Sequence, residues 1–252
     1  MIQLSKRLKQ IADQVIPGYP IADIGSDHAL LPVSLVQRGV IPRAIAGDLH
    51  AGPVRAAQQQ VSAAGLGEHI LVRAGDGLSV LQSGEAHTVV VAGMGGATIT
   101  SILNRGREQL HGVSRLVLQP NNGEPTVREW LRQAGWKLYA EHLIEEDGIM
   151  YEVLSADAAY DRQDAQDWNQ QLYTRPLPFG KNVSSDIRLL MGPWLLEAPS
   201  ALFVRKWQAY LMKLDQLLPR MVKSNQPEAK QRVEQFCKQR EEIQGVLACL
   251  SL

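Results

Sequence analysis

Residues 21–29 read Ile-Ala-Asp-Ile-Gly-Ser-Asp-His-Ala. The short apolar run Ile21–Gly25 gives way to a glycine turn and then to a helix-like segment, 28–39. This is the strand–turn–helix unit of a parallel α/β sheet, whose corner glycine lets a ligand approach bare backbone near a helix N-terminus. The dinucleotide fingerprint Gly-x-Gly-x-x-Gly is absent, because Asp27 stands where its second glycine would be. A pyrophosphate lodged there would meet a carboxylate, which argues against NAD and FAD. A cofactor carrying an ammonium and a sulfonium, such as S-adenosylmethionine, would be attracted instead. The local alternative is that Ser26 or Asp27 caps the following helix, and the two roles are compatible.

Four further apolar runs follow: Ala44–Leu49, Ile70–Ala74, Val89–Gly93 and Leu116–Gln119. Helical patterns at 52–65, 95–109 and 124–134 separate or follow them. The runs are short, rich in Val, Ile and Ala, and not alternating, as expected of strands buried on both faces. Strands alternating with helices imply right-handed crossovers in one sheet. Ahead of them, Leu4, Leu8, Ile11 and Val15 have the spacing of an amphipathic helix over the first sixteen residues, which Pro17-Gly18 stops. Behind them, Trp136–Glu145 and Met150–Ala156 flank Glu146-Asp147-Gly148, a hairpin signal. The fold class expected is α/β: a mostly parallel sheet of five strands extended to seven by an antiparallel terminal hairpin. A dinucleotide dehydrogenase would more often continue with another strand–helix–strand unit.

Residues 159–185 read as a polar connector of loop and short helix. Residues 186–252 read as a helical hairpin. Its first seam is Phe203, Trp207, Tyr210, Leu214, Leu217 and Met221 at heptad spacing, and Ser224 to Pro227 makes a break. The second seam is Val233, Phe236, Arg240, Ile243, Leu247 and Leu250, with Arg240 as its polar interruption. The domains expected are therefore 1–158 and 186–252, joined by the connector.

The 252 residues carry 26 basic and 26 acidic side chains, unevenly placed. Residues 1–185 have 16 basic against 19 acidic, and 186–252 have 10 against 7. A mildly basic tail suits a solvated helical face or a nucleic-acid contact. No apolar stretch approaches the ~20 residues that cross a bilayer, and the N-terminal residues lack the apolar core of a signal peptide. Two cysteines, Cys237 and Cys249, build neither a disulfide framework nor a zinc knuckle. A cytoplasmic protein without membrane contact or metal is expected, as a monomer or a weak dimer.

The chemistry concentrates at strand ends. Asp23 and Asp27 flank the first turn. Asp48, followed by Leu49, closes the second strand 25 residues after Asp23, where an acid grips ribose hydroxyls in nucleotide-binding sheets. Asp76, beside Gly77, ends the third strand and is suited to accept a hydrogen bond from an adenine amine. Each acid has a local alternative as a cap or turn residue, but the three strand ends converge on one crevice edge. The fourth strand ends Gly93-Met94-Gly95-Gly96, bare backbone where a methyl donor and its acceptor would meet. The fifth ends Gln119-Pro120-Asn121-Asn122, whose amides suit a base edge or a turn.

These segments carry a family likeness. Ser5-Lys6-Arg7-Leu8, ADIGSDHALLP (22–32), AGD (46–48), GDG (75–77), AGMGG (92–96), LQPN (118–121) and EEDGIMYEVL (145–154) resemble the bacterial tRNA (adenine-22-N1)-methyltransferase family. Met191-Gly192-Pro193, Phe203 and Lys206-Trp207 extend the likeness into the tail. The resemblance implies a Rossmann-like class I methyltransferase domain with a C-terminal coiled-coil hairpin. It also implies S-adenosyl-L-methionine as cofactor and tRNA as partner, methylated at N1 of adenine 22. It places Gly25, Ser26 and Asp27 at the methionine end and Asp48 at the ribose, where many relatives have Glu; Asp23 and Leu49 are expected among the cofactor-binding residues. Asp76 and Gly77 fall at the adenine, and Gly93, Met94 and Gly95 on the acceptor-side wall.

In-line displacement at a sulfonium methyl needs placement rather than a covalent nucleophile. Asp27, or a backbone carbonyl of 92–95, is expected to stabilise charge developing on the adenine. His28 is expected to assist proton removal from the exocyclic amine. Gln119 and Asn121 are expected on the substrate base. Phosphate contacts are expected from Lys6, Arg7 and Lys9, and from Lys206, Lys213, Arg220, Lys223, Lys230 and Arg232 of the tail. The competing readings are a small-molecule methyltransferase on the same scaffold and a non-enzymatic binding protein of the same fold.

Overall fold

The computed structural model describes residues 2–222 and 227–250. The chain divides into two units, Met1–Asn169 and Gln170–Leu252. The division falls within the segment read as a connector.

The first unit is built on seven strands: β1 (Ile21–Ile24), β2 (Ala44–Asp48), β3 (Ile70–Ala74), β4 (Thr88–Gly95), β5 (Arg115–Asn122), β6 (Trp136–Glu146) and β7 (Ile149–Ala158). Their order is β3-β2-β1-β4-β5-β7-β6. The first five run parallel, and β7 is antiparallel to both β5 and β6. Val89, Val90 and Val91 of β4 and Leu116, Val117 and Leu118 of β5 are completely buried, which accounts for the unalternating apolar runs. Val90 and Val117 face a core shared with α1 (Lys6–Ala12), α2 (Leu30–Gln37) and α3 (Ala51–Ala63). Their neighbours alternate to the opposite face. There α4 (Gly96–Arg105) and α5 (Glu124–Ala134) pack on each other and on β5. Because β1 lies between β2 and β4, the winding reverses there, and the carboxyl ends of those strands frame the crevice where open sheets take ligands.

Local chemistry moves several boundaries. The first helix is shorter than its apolar spacing: Ser5 caps α1, its hydroxyl accepting from Leu8 N–H, and the helix ends at Ala12. α2 begins only at Leu30, because Ala29 is left-handed, with φ 53°. α4 ends at Arg105, and the rest of its expected span holds a short 3₁₀ turn, Glu108–Leu110. The β6–β7 turn is Asp147-Gly148, with φ of 51° and 76°, the left-handed pair that matches the twist of a two-residue hairpin.

Both strands of that hairpin join α5 through a buried ionic group. Arg128 lies between Glu141 and Glu152, and all three side chains are fully enclosed. The last helix to begin in this unit, α6 (Arg162–Thr174), is held by Trp168 Nε1 donating to Leu138 O at 3.1 Å and Asn169 Nδ2 to Trp136 O at 3.3 Å.

The second unit contains α7 (Ser185–Met191), α8 (Pro193–Glu197), α9 (Ala201–Val222) and α10 (Pro227–Leu250). Phe203, Trp207, Leu214, Ile243 and Leu247 of the expected seams are buried, whereas Leu217 is 47% exposed. Arg240, the polar interruption, donates Nε to Asp215 Oδ1 at 2.6 Å. Ser184 caps α7 and also donates its N–H and hydroxyl to Glu242 of α10. Residues 224–226 of the expected break lie outside the described residues, and Pro227 opens α10. Among the described residues, no helix is long and apolar enough to cross a membrane.

Candidate active site

The turn after β1 is left-handed at three residues: Gly25 (φ 74°), Asp27 (φ 50°) and Ala29 (φ 53°). Non-glycine residues in the left-handed region occur in tight turns, as at Asp147, and cluster at functional sites. Gly25 N–H and Ser26 N–H both donate to Gly47 O, at 2.8 and 3.1 Å, which straps the turn to β2. A Cβ on Gly25 would collide with Met94 Cε. Neither Ser26 nor Asp27 caps α2, whose N-cap is Ala29 without a side-chain bond. Ser26 Oγ donates instead to Asp23 Oδ2 at 2.6 Å. Burial raises the Asp23 pKa to about 6, the Ser26 hydrogen bond opposes that rise, and the nearby Asp48 charge adds to it.

Two cavities open at these strand ends. The larger, of about 470 Å³, is bordered by Asp48, Leu49, Asp76, Gly77 and Met94. Its volume falls within the range of ~300–1,000 Å³ usual for small-molecule sites. The smaller, of about 320 Å³, is bordered by Arg7, Asp23, Ser26, Asp27 and His28. Gly25, Ala92 and Gly93 border both. The residues expected around one cofactor are thus distributed over two compartments. Asp23, Ser26 and Asp27 border the second compartment and not the first. Gly95 borders neither; it is the N-cap of α4.

Asp48 combines its local and site roles. Its Oδ1 accepts from His50 N–H at 2.9 Å and its Oδ2 from Asp27 N–H at 3.4 Å, while it still borders the larger cavity. Asp76 holds the N-cap position of a short 3₁₀ turn, Gly77–Val80, without a side-chain cap bond; Arg105 of α4 donates to both of its oxygens, at 2.7 and 3.1 Å. Arg105 also borders that cavity and had no signal in the sequence pattern. His28 precedes α2 instead of lying in its first turn, and its Nε2 is 3.6 Å from Asp27 Oδ1.

At the β5 end, the expectation of amides exposed to a substrate base needs correction for Gln119. This residue is fully buried. Its Oε1 accepts from Arg7 Nη1 at 2.6 Å and Gly93 N–H at 3.2 Å, and its Nε2 donates to Pro120 O and Asn121 Oδ1. Asn121 is exposed, but its Nδ2 donates to Gly93 O at 2.8 Å. Arg7 is half-buried and borders the smaller cavity, whereas Lys6 and Lys9 are exposed and border neither. In the tail Lys213, Lys230 and Arg232 are exposed, and the Lys206 ammonium lies 5.7 Å from the Trp207 ring centroid. Lys223 and the side chain of Arg220 lie outside the described residues. Among the described residues, no three His, Cys, Asp or Glu side chains cluster as metal ligands.

Comparison with known proteins points one way. A family model described as tRNA (adenine(22)-N(1))-methyltransferase matches residues 21–244. The tRNA (adenine(22)-N(1))-methyltransferase of Bacillus subtilis (strain 168) is 38% identical over 247 residues, 98% of either chain. The crystal structure of the B. subtilis M1A22 tRNA methyltransferase matches with a TM-score of 0.87 at 37% identity, covering 98% of this chain and 100% of that one. A putative tRNA (m1A22) methyltransferase of Streptococcus pneumoniae, solved in complex with S-adenosyl-L-methionine, matches with a TM-score of 0.80 at 35% identity, covering 97% and 100%.

Proposed function

The chain belongs to the tRNA (adenine(22)-N(1))-methyltransferase family, and on that premise we propose how its residues divide the work. The reaction is S-adenosylmethionine-dependent methylation of N1 of adenine 22 in tRNA. When bound, S-adenosylmethionine supplies an electrophilic methyl group on a sulfonium.

The larger cavity suits that donor. Asp48 keeps acceptor capacity for the ribose hydroxyls, Leu49 offers an exposed apolar face, and Asp76 accepts from the adenine amine while Arg105 orients it. Gly77 and Met94 complete the wall. The smaller cavity receives the target adenine. Gly25, Ala92 and Gly93 border both, and none of the three carries a side chain larger than a methyl, although the Met94 side chain reaches to Gly25. This juxtaposition carries the proposal, because reacting atoms must approach to roughly 3–3.5 Å. Asp23 and Asp27 supply negative charge on the side where N1 becomes cationic. His28, a base bordering the same cavity, is placed to take a proton from the exocyclic amine.

Extracting the base from folded tRNA costs a few kcal/mol, which phosphate contacts offset. The exposed Lys6, Lys9, Lys213, Lys230 and Arg232 are the candidates. The test is methylation of an unmodified tRNA transcript, read by mass spectrometry of its nucleosides. N1-methyladenosine should form with adenine at position 22 and vanish when that base is guanine. Product that persists after the change would overturn the assignment of the target.

A further inference from the structure

We propose that Arg7 is a positioning residue for methyl transfer, acting through Gln119 on the Gly93 peptide, and not a contact to tRNA phosphate. The proposal rests on reading the two cavities as donor and acceptor compartments, since Gly93 borders both.

The ladder between β4 and β5 slips at this point. Ala92 pairs with Gln119 and Met94 with Pro120, which leaves Gly93 as the extra residue of a bulge. Pro120 has no N–H to donate. Side chains take over the missing bonds: Gly93 N–H donates to Gln119 Oε1, and Gly93 O accepts from Asn121 Nδ2. The direction of the buried Gln119 amide decides whether this ring closes. If the amide were flipped, its NH₂ would face the Gly93 N–H, and its oxygen would face the Pro120 carbonyl. Arg7 Nη1 donates to the same Oε1 at 2.6 Å, a charge-assisted bond that holds the oxygen toward Gly93. Gln119 Nε2 then donates to Asn121 Oδ1 at 3.2 Å, which turns the Asn121 NH₂ toward Gly93.

Arg7 is itself fixed. Its backbone N–H donates to Glu146 Oε1 at 3.0 Å, and its guanidinium carbon lies 5.4 Å from the Tyr151 ring centroid. A helix 112 residues distant in sequence thereby sets the amide that holds the shared border. Gly93 has φ 76°, where glycine has several accessible conformations. Released from Gln119 and Asn121, its peptide can rotate, and a misplacement near 1 Å costs roughly 100-fold in rate.

The test uses the full-length protein, with single-turnover methylation at saturating tRNA and S-adenosylmethionine, tRNA affinity across a salt series, and thermal melting. Arg7→Lys keeps the charge but loses the planar fork. It should lower the rate by about tenfold or more, while tRNA affinity and its salt dependence stay near wild type. Gln119→Glu accepts from Arg7 but cannot donate to Asn121, and should lose rate to the same degree. Asn121→Ala removes the Gly93 carbonyl's donor without touching α1, and should reproduce the loss even if the Arg7 variant melts early. Combining Arg7→Lys with Gln119→Glu should cost little beyond either change alone.

Full rate in Arg7→Lys, with affinity lost in Arg7→Met and the salt slope reduced by about one, would make Arg7 a phosphate contact and overturn the proposal. Additive losses, or full rate in Asn121→Ala, would overturn it as well. A wild-type protein that binds no S-adenosylmethionine would overturn the reading of the site, and this proposal with it.

Discussion

Asp23 is a carboxyl kept out of water with a single hydroxyl to help it. Burial holds its pKa at about 6, against ~3.9 for an unfolded chain. A raised carboxyl pKa means that the folded state binds the proton more tightly. The associated stability is complete below the unfolded value and is lost as pH climbs through about 6. Asp23→Asn should therefore be more stable than wild type at pH 8, by something on the order of 2–3 kcal/mol. The gap should close as pH falls from about 6 toward about 4. Thermal melts across that range check it, and a gap independent of pH would count against the ionised carboxyl as its source. Retaining a charge that weakens the fold is a mark of a working site. The glycine turns and strand-end acids were legible in the sequence because residue type and spacing suffice to find them. The Arg105–Asp76 and Arg7–Gln119 contacts were not, since their partners lie 29 and 112 positions apart and meet only once α4 and α1 have docked. Nor does a sequence show whether a strand-end Gln points outward or folds back, and Gln119 folds back.

At the level of elements, the five parallel strands and the closing hairpin were readable from unalternating apolar runs and from Asp147-Gly148, but the order of the strands in the sheet was not. The strand ends were not. β4 and β5 run past Gly93 and Gln119 because side-chain amides repair the ladder around a bulge, and periodicity carries no record of that repair. The tie between α5 and the hairpin was equally invisible: Arg128, Glu141 and Glu152 sit on three elements and close over one another out of solvent. Arg128→Met would remove the guanidinium that pairs with both buried carboxylates. It should cost about 3–5 kcal/mol in a urea titration. Replacing both glutamates by Leu in the same variant should recover much of that loss, because a well-packed apolar cluster is no weaker than a buried ion group.

For the molecule as a whole, zero net charge conceals a first segment with excess acid and a tail with excess base. Heptad spacing made the tail's helices legible but not the extent of their burial. Leu217 keeps the spacing yet is 47% exposed, whereas the opposite end of the pair gains support where α7 packs on α10. Exposed cations on the tail are the natural partners for a polyanion. The triple change of Lys213, Lys230 and Arg232 to Glu should weaken tRNA binding across tRNA sequences and cut the salt slope by about three. Titration with S-adenosylmethionine should give an unchanged affinity. Intact tRNA binding in that variant would remove the tail from the interface. Gly25, Ala92 and Gly93 border both compartments over the sheet, and the proposed division into donor and acceptor chambers has a further consequence for steady-state behaviour. Neither guest must depart before the other arrives, and flooding one chamber does not evict the occupant of the next. Double-reciprocal plots taken at several fixed levels of the second reactant therefore intersect and do not run parallel.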